Sequence, residues 1–165
     1  MSLLPIRTYP DPILKQAAVE VTQFNKELQT LLDNMAETMY HGQGIGLAGP
    51  QVAVLKRVIV VDISSNRQER IDFVNPRIVF AQGKVSCEEG CLSVPEYRDT
   101  VSRAKEIVVQ ACNGAGKEFE LRADGLLAVC IQHEIDHLDG ILFIDRLSRL
   151  KREMFKRWLK KQAAA

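Results

Sequence analysis

Ala123 to Gly140 reads ADGLLAVCIQHEIDHLDG, and this stretch governs how the rest of the chain is arranged. Asp124 is a suitable N-cap, and Gly140 is a helix stop. From Leu126 to Ile131 every residue is apolar, and a helix that is apolar on most sides belongs inside a protein. The run leads directly into Gln132, His133, Glu134, Asp136 and His137, which are costly to bury unless each finds a partner. The spacing suggests that partner. His133 and His137 are four residues apart, so on a helix they share a face and both imidazoles reach one cation. Glu134 points to the side, where it can act as a base without being a ligand. This is the H-E-x-x-H pattern of metal hydrolases.

The chain has 165 residues with 46% hydrophobic and 26% charged, the composition of a globular protein with a real core. A single domain, 1–165, is expected, without repeats or linkers. No run reaches the length of a membrane span, and the N-terminus has neither signal-peptide nor transit-peptide character. Four cysteines without an export signal favour reduced thiols and a cytoplasmic location. A net charge of +1 argues against bulk nucleic-acid binding, DNA included. The charge is uneven, however: Leu147 to Ala165 holds seven Lys or Arg and one acid, leaving −5 on the remainder.

Tyr9-Pro10-Asp11-Pro12 is a turn, with a short helix expected over Pro12 to Ala18. Asn25 caps a helix to about His41, with Leu28, Leu31, Leu32, Met35 and Met39 facing the core. His41 reads as a helix-end histidine. Gly42 to Gln51, GQGIGLAGPQ, lacks the ending of a phosphate loop. Its glycines, Ile45, Leu47 and the Gln51 amide suit a strand-like loop lining a peptide or small-molecule site. Arg57 to Ile63 is a buried strand. Ile71 to Phe80 is a second, interrupted at Asn75-Pro76 and therefore expected at a sheet edge. Val101 to Cys112 and Lys117 to Leu121 form a hairpin closed by Asn113-Gly114-Ala115-Gly116. A last helix, Ser148 to Gln162, has Leu150, Met154, Phe155, Trp158 and Leu159 as its apolar stripe. The expected fold is α+β: antiparallel sheets packed around the central HExxH helix, with an amphipathic C-terminal helix.

A catalytic zinc-type site takes three protein ligands and keeps one position open. A metzincin third histidine would fall at Phe143, so that class is excluded. A thermolysin-like downstream glutamate could only be Glu153, inside the amphipathic last helix. Cys91, in Glu89-Gly90-Cys91-Leu92-Ser93, is the upstream candidate. With Cys87 added, a closed Cys₂His₂ structural site stays open as an alternative, although residues four apart on a strand are about 13 Å apart. Cys112 and Cys130 read as core thiols.

These residues resemble peptide deformylase. Three stretches match the family's motifs in order: Gly44-Ile45-Gly46-Leu47-Ala48-Gly49-Pro50-Gln51, Glu89-Gly90-Cys91-Leu92-Ser93, and Gln132-His133-Glu134-Ile135-Asp136-His137-Leu138-Asp139-Gly140. The departure is Gly49, where the family usually has Ala; a slightly loosened loop is expected. The resemblance implies removal of the N-formyl group from the initiator methionine of nascent polypeptides. It implies one divalent metal, Fe²⁺ natively, with Zn²⁺, Ni²⁺ or Co²⁺ as substitutes, held by Cys91, His133 and His137. It makes Glu134 the acid–base group, with Gln51 and the Leu92 N–H stabilising the oxyanion. Ile45, Cys87, Glu89 through its stem, Leu126, Val129, Cys130 and the His133 ring would wall the methionine pocket. Gly46 would pair with the peptide backbone, and Arg98 would lie further along it. Asp136 is expected to orient Arg103. The basic last helix is a candidate ribosome contact.

Overall fold

The computed structural model describes residues 2–165. Its elements are the helices α1 (Lys26–His41), α2 (Gly125–Leu138) and α3 (Arg149–Ala164), and seven strands. The strands are β1 (Gly46–Ala48), β2 (Val58–Val61), β3 (Ile71–Gln82), β4 (Val85–Cys91), β5 (Val94–Arg103), β6 (Glu106–Cys112) and β7 (Glu118–Asp124). Three short 3-10 turns complete the chain, at Pro12–Lys15, Gly49–Val52 and Phe143–Arg146. The first of these is shorter than the helix expected to Ala18.

Five strands form one antiparallel sheet in the order β1-β2-β3-β6-β7, and β4 and β5 form a separate hairpin. The four residues of β2, Val58 to Val61, are all buried because the sheet is covered on both faces. Val58 and Val60 pack with Leu28, Leu32, Met35 and Met39 of α1. Ile59 and Val61 point the other way, into a cluster with Phe73, Ile107, Val109 and, from α2, Ala128, Ile131, Ile135 and Leu138. Each of these side chains larger than alanine contributes about 1.5–3 kcal/mol through burial. α2 is therefore the inner helix that its sequence requires. Asp124 occupies the N-cap position, though its side chain makes no capping hydrogen bond. Gly140 follows the helix at φ 75°, and a Cβ there would collide with the Lys15 carbonyl, so glycine is needed twice over.

Three expectations are corrected. First, β3 is the middle strand of the sheet, not an edge. Its pairing with β6 shifts register between Val74 and Arg77, so the ladder bypasses Pro76 and never calls on the missing donor. Asn75 takes φ 54° there, and its side chain bonds both backbone groups of Val21. Second, Val101 to Cys112 is not one strand. The chain leaves the hairpin at Arg103 and enters the sheet at Glu106, and the Gln132 amide bonds both Ala104 backbone groups at the crossing. Third, the stripe on α3 is only half used. Phe155 is buried against Tyr9, Tyr97 and Trp158, whereas Leu150 and Met154 are 72% and 55% exposed. Among the described residues, no helix is long and apolar enough to cross a membrane.

Candidate metal centre and substrate cleft

α2 carries His133 and His137 one turn apart, and the β4–β5 hairpin brings Cys91 to them. Cys91 closes β4 just after a register shift that follows Glu89. Its Sγ lies 3.3 Å from His137 Nε2. The donor atoms of Cys91, His133 and His137 all lie within 4.8 Å of one another, as donors converging on one ion with bonds of about 2.0–2.3 Å would. Among the described residues, this metal-competent group contains neither Cys87 nor Glu153. Cys87 stands opposite Val101 with its sulfur toward the Glu88 carbonyl. Glu153 is exposed on α3 beside Lys156. The closed Cys₂His₂ site and the Glu153 site have no geometry to support them.

The surroundings prepare the donors for a cation. His133 Nδ1 and Glu89 Oε1 are 2.9 Å apart. With Nδ1–H donating to that carboxylate, the Nε2 lone pair is left for a metal. Burial opposes a charge on His133, but Glu134, Cys91 and Glu89 surround the ring and drive its pKa well upward. Burial, aided by His133 and Arg103, drives His137 well downward, into the neutral form that ligates. The anions that favour a proton on His133 would equally favour a metal cation in its place at Nε2, so proton and metal compete there, while His137 is kept neutral. Two buried polar atoms have no protein partner among the described residues, His137 Nδ1 and Glu134 Oε1. The converging sulfur and ring nitrogens, with carboxylates beside them, fit a divalent ion.

Glu89 was expected to serve the pocket through its stem. Its carboxylate does more than that. Arg103, with a side chain 3% exposed, donates Nε and Nη2 to the two Glu89 oxygens at 2.8 Å each. Arg103 Nη1 donates to Asp136 at 2.6 Å, as the pairing of Asp136 with Arg103 anticipated. Arg146 then clamps both Asp136 oxygens at 2.6 and 2.7 Å. An unbroken chain of charge-assisted bonds thus runs from Arg146 to His133. Burial alone would raise Glu89, but the bonds from Arg103 and His133 hold its carboxyl down at about 2. Arg146 was missed in the sequence, where nothing separates it from an ordinary surface arginine. For Glu89 a signal existed: two residues from Cys87 on a strand, it shares that residue's face, while Glu88 points the other way.

Glu134 sits beside the metal donors, with Oε2 4.0 Å from His133 Nε2. Burial pushes its pKa up to about 7. Gly46 makes room for it, since a Cβ at that position would stand 2.5 Å from Oε2. Gln51 is held at both ends: Oε1 accepts from the Ala48 N–H at 2.9 Å, and Nε2 donates to Ser93 Oγ at 3.1 Å. Nε2 also faces Cys91 Sγ at 3.5 Å, and the Ser93 N–H faces the same sulfur. Ser93, an orienting partner for both, is a further residue that the sequence did not single out.

The site opens into a cavity of about 720 Å³. Ile45, Gly46, Gln51, Cys87, Glu89 and Leu92 line it, as do Leu126, Val129, Cys130, His133 and Glu134, so the expected pocket residues are brought together. Burial keeps the Cys130 thiol neutral by pushing its pKa up. Leu126 is at the rim, 49% exposed. Arg98 also reaches the rim, laid over Gly90 and paired with the exposed Glu88. Gly49 lies where the carbonyls of Val54 and Lys56 would stand 2.6 and 2.7 Å from a Cβ. The space an alanine methyl would need is filled by backbone, so the loop is closed down on Gly49 rather than loosened.

Comparison with known proteins agrees with this geometry. The family model described as polypeptide deformylase matches residues 3–153. A peptide deformylase of Thermodesulfovibrio yellowstonii is 50% identical over 162 residues, covering 97% of this chain and 98% of that protein. The crystal structure of a peptide deformylase from Legionella pneumophila superposes with a TM-score of 0.93 at 48% identity, over 98% of this chain and 96% of that one. A peptide deformylase from Ehrlichia chaffeensis, solved in complex with actinonin, superposes with a TM-score of 0.92 at 41% identity, over 98% of both chains.

Proposed function

The chain belongs to the polypeptide deformylase family, and on that premise we propose how its own residues carry the reaction. It is a metallohydrolase that removes the N-formyl group from newly made polypeptides. The observation that carries the residue assignment is the convergence of Cys91, His133 and His137 donors within 4.8 Å, beside a buried carboxylate.

In this reading Cys91, His133 and His137 hold one divalent ion. When bound, the ion supplies Lewis-acid polarisation and lowers the pKa of water. Glu134, its pKa near 7, takes a proton from the attacking water and returns it to the leaving amine. Gln51 Nε2 and the Leu92 backbone N–H donate to the oxyanion that develops on the formyl group, each worth about 3–4 kcal/mol in comparable sites. The apolar walls, Ile45, Leu126, Val129 and Cys130, receive the methionine side chain and keep water out. Gly46 pairs with the peptide backbone in β fashion, and Arg98 meets residues further along. Formate and a free amine leave.

One sulfur and two imidazoles suit several divalent metals. We assign Fe²⁺ as the native ion, with Zn²⁺, Ni²⁺ or Co²⁺ able to replace it. A cytoplasmic location is part of the same reading, supported by four free cysteines. So is contact with the ribosome through α3, whose exposed face is basic. Because Phe155 is buried, truncating α3 would damage the core. Reversing charge at Arg152, Arg157 and Lys160 and measuring ribosome co-sedimentation is the cleaner test.

The decisive assay is formate release from formyl-Met-Ala-Ser by anaerobically prepared protein, with metal content measured on the same sample. The expected result is formate from the formylated peptide and no cleavage of its unformylated counterpart. Metal-loaded protein that releases no formate would refute the assignment.

A further inference from the structure

The loop Ser64–Arg70, between β2 and β3, plays no direct part in the site just described. It nonetheless holds the segment that the substrate must pair with, and Arg67 makes the connection. Arg67 has φ 58°, a left-handed conformation that glycine or asparagine accepts far more readily. The chain has Asn66 one position earlier and keeps an arginine at the strained position. Strain kept in this way points to a use.

The guanidinium shows the use. Nη1 donates to the Gly44 carbonyl at 2.8 Å, and its central carbon stands 5.8 Å over the Tyr40 ring. The Tyr40 hydroxyl donates to buried Asp62 at 2.6 Å. Asp62 also accepts from the Ser64 N–H and hydroxyl and from the Glu69 N–H, which ties both ends of the loop together. The Asp62 N–H donates to the Ile45 carbonyl at 2.9 Å, and the Gly44 N–H donates to the Met39 carbonyl at 2.9 Å. Three of the backbone groups of Gly44 and Ile45 are therefore committed, one to Arg67 of this loop, one to Asp62, which ties the loop, and one to α1. Ile45 and Gly46 line the cleft, and β1, which begins at Gly46, is an edge strand. Arg67 does not line the cleft, whereas Gly44, whose carbonyl it holds, does.

We propose that Arg67 is a positioning residue for substrate binding, which fixes the Gly44 carbonyl and so holds the Ile45–Gly46 edge in the extended form a bound peptide pairs with. The inference rests on the deformylase reading above. An edge that must be ordered at the moment of binding costs affinity, and one held beforehand does not. The effect falls on KM, because no reacting atom is touched.

Three variants of the metal-loaded enzyme test it. Arg67→Gly relieves the backbone strain and removes the donor. Arg67→Met keeps the stem beside Tyr40 and removes the donor. Arg67→Lys restores a donor. For formyl-Met-Ala-Ser, the first two should raise KM about five- to tenfold, the worth of one hydrogen bond, with kcat changed by less than about twofold. Arg67→Lys should recover part of the lost affinity. Amide hydrogen exchange over residues 44–46 should quicken in the first two variants, while Arg67→Gly melts no lower than the parent. An unchanged KM with unchanged exchange overturns the proposal, as does a fall in kcat at constant KM. A parent enzyme that releases no formate would instead overturn the deformylase reading, and this inference with it.

Discussion

Replacing Arg103 by methionine removes a cation whose side chain is 3% exposed and which serves two carboxylates. Glu89 loses both bonds at 2.8 Å, while Asp136 keeps Arg146 on both oxygens. The cost therefore falls mainly on Glu89. Burial would raise that carboxyl, and Arg103 and then His133 bring it from 4.5 to about 2. At ~1.4 kcal/mol per pH unit the lowering corresponds to roughly 3 kcal/mol, shared between Arg103, the larger contributor, and His133, which the variant keeps. Breaking a buried ion pair by removing one partner costs about 3–5 kcal/mol, which agrees. Against a total of about 5–15 kcal/mol, such a loss is easily measured. A carboxyl lowered on folding contributes stability that is complete above the unfolded pKa and disappears as pH falls through the folded one. The gap between parent and Arg103→Met should thus be widest above pH 4.5 and narrow toward pH 2. Urea denaturation of metal-free protein followed by circular dichroism at a series of pH values measures it. Because Glu89 also orients His133, metal affinity should fall about 10–100-fold. A loss below about 1 kcal/mol at pH 7, or a gap that does not change with pH, would refute the argument.

Glu134→Ala should keep its metal and lose about 10²–10⁴-fold in formate release, with metal analysis and turnover read on one sample. Cys91→Ala should lose the metal, and retained stoichiometric metal would show that a different residue is the third ligand. Gly49→Ala should destabilise by about 1–3 kcal/mol in thermal melts, because the Val54 and Lys56 carbonyls occupy the methyl's place. For Tyr40, burial and then the bond to Asp62 raise the hydroxyl to about 12. The stability it contributes should be complete below pH 10 and fade as pH rises through 12, and Tyr40→Phe should remove that alkaline dependence from the melting curve.

α1, α2 and β2 were legible because each carries a strong local signal: a capped 3.6-residue period, an apolar run with imidazoles four apart, an unbroken β-branched run. β3 was misplaced because proline is read as an edge signal, while the bulge that accommodates Pro76 is a property of its pairing with β6. The end of β5 was missed because the interruption at Ala104 depends on the amide of Gln132, 28 residues away in sequence. On α3 the periodicity was real, but which apolar residues are covered depends on where Tyr9 and Tyr97 reach.

The same division runs through the site. Spacing along one helix is a local quantity, so His133, Glu134 and His137 could be grouped from the sequence, and the motif order carried Cys91 and Gln51 with them. Cys87 and Glu153 stood as rivals to Cys91 on residue chemistry alone, and what separates them is distance: among the described residues it is the Cys91 sulfur that groups with the two rings within 4.8 Å. The bonds linking Arg146, Asp136, Arg103, Glu89 and His133, and the reach of Arg67 to Gly44, join segments far apart in the chain. Donor chemistry and helical period are written in the order of residues. Distances between segments arise only when the sheet and hairpin close on α2, because they depend on how all the buried surfaces pack together at once.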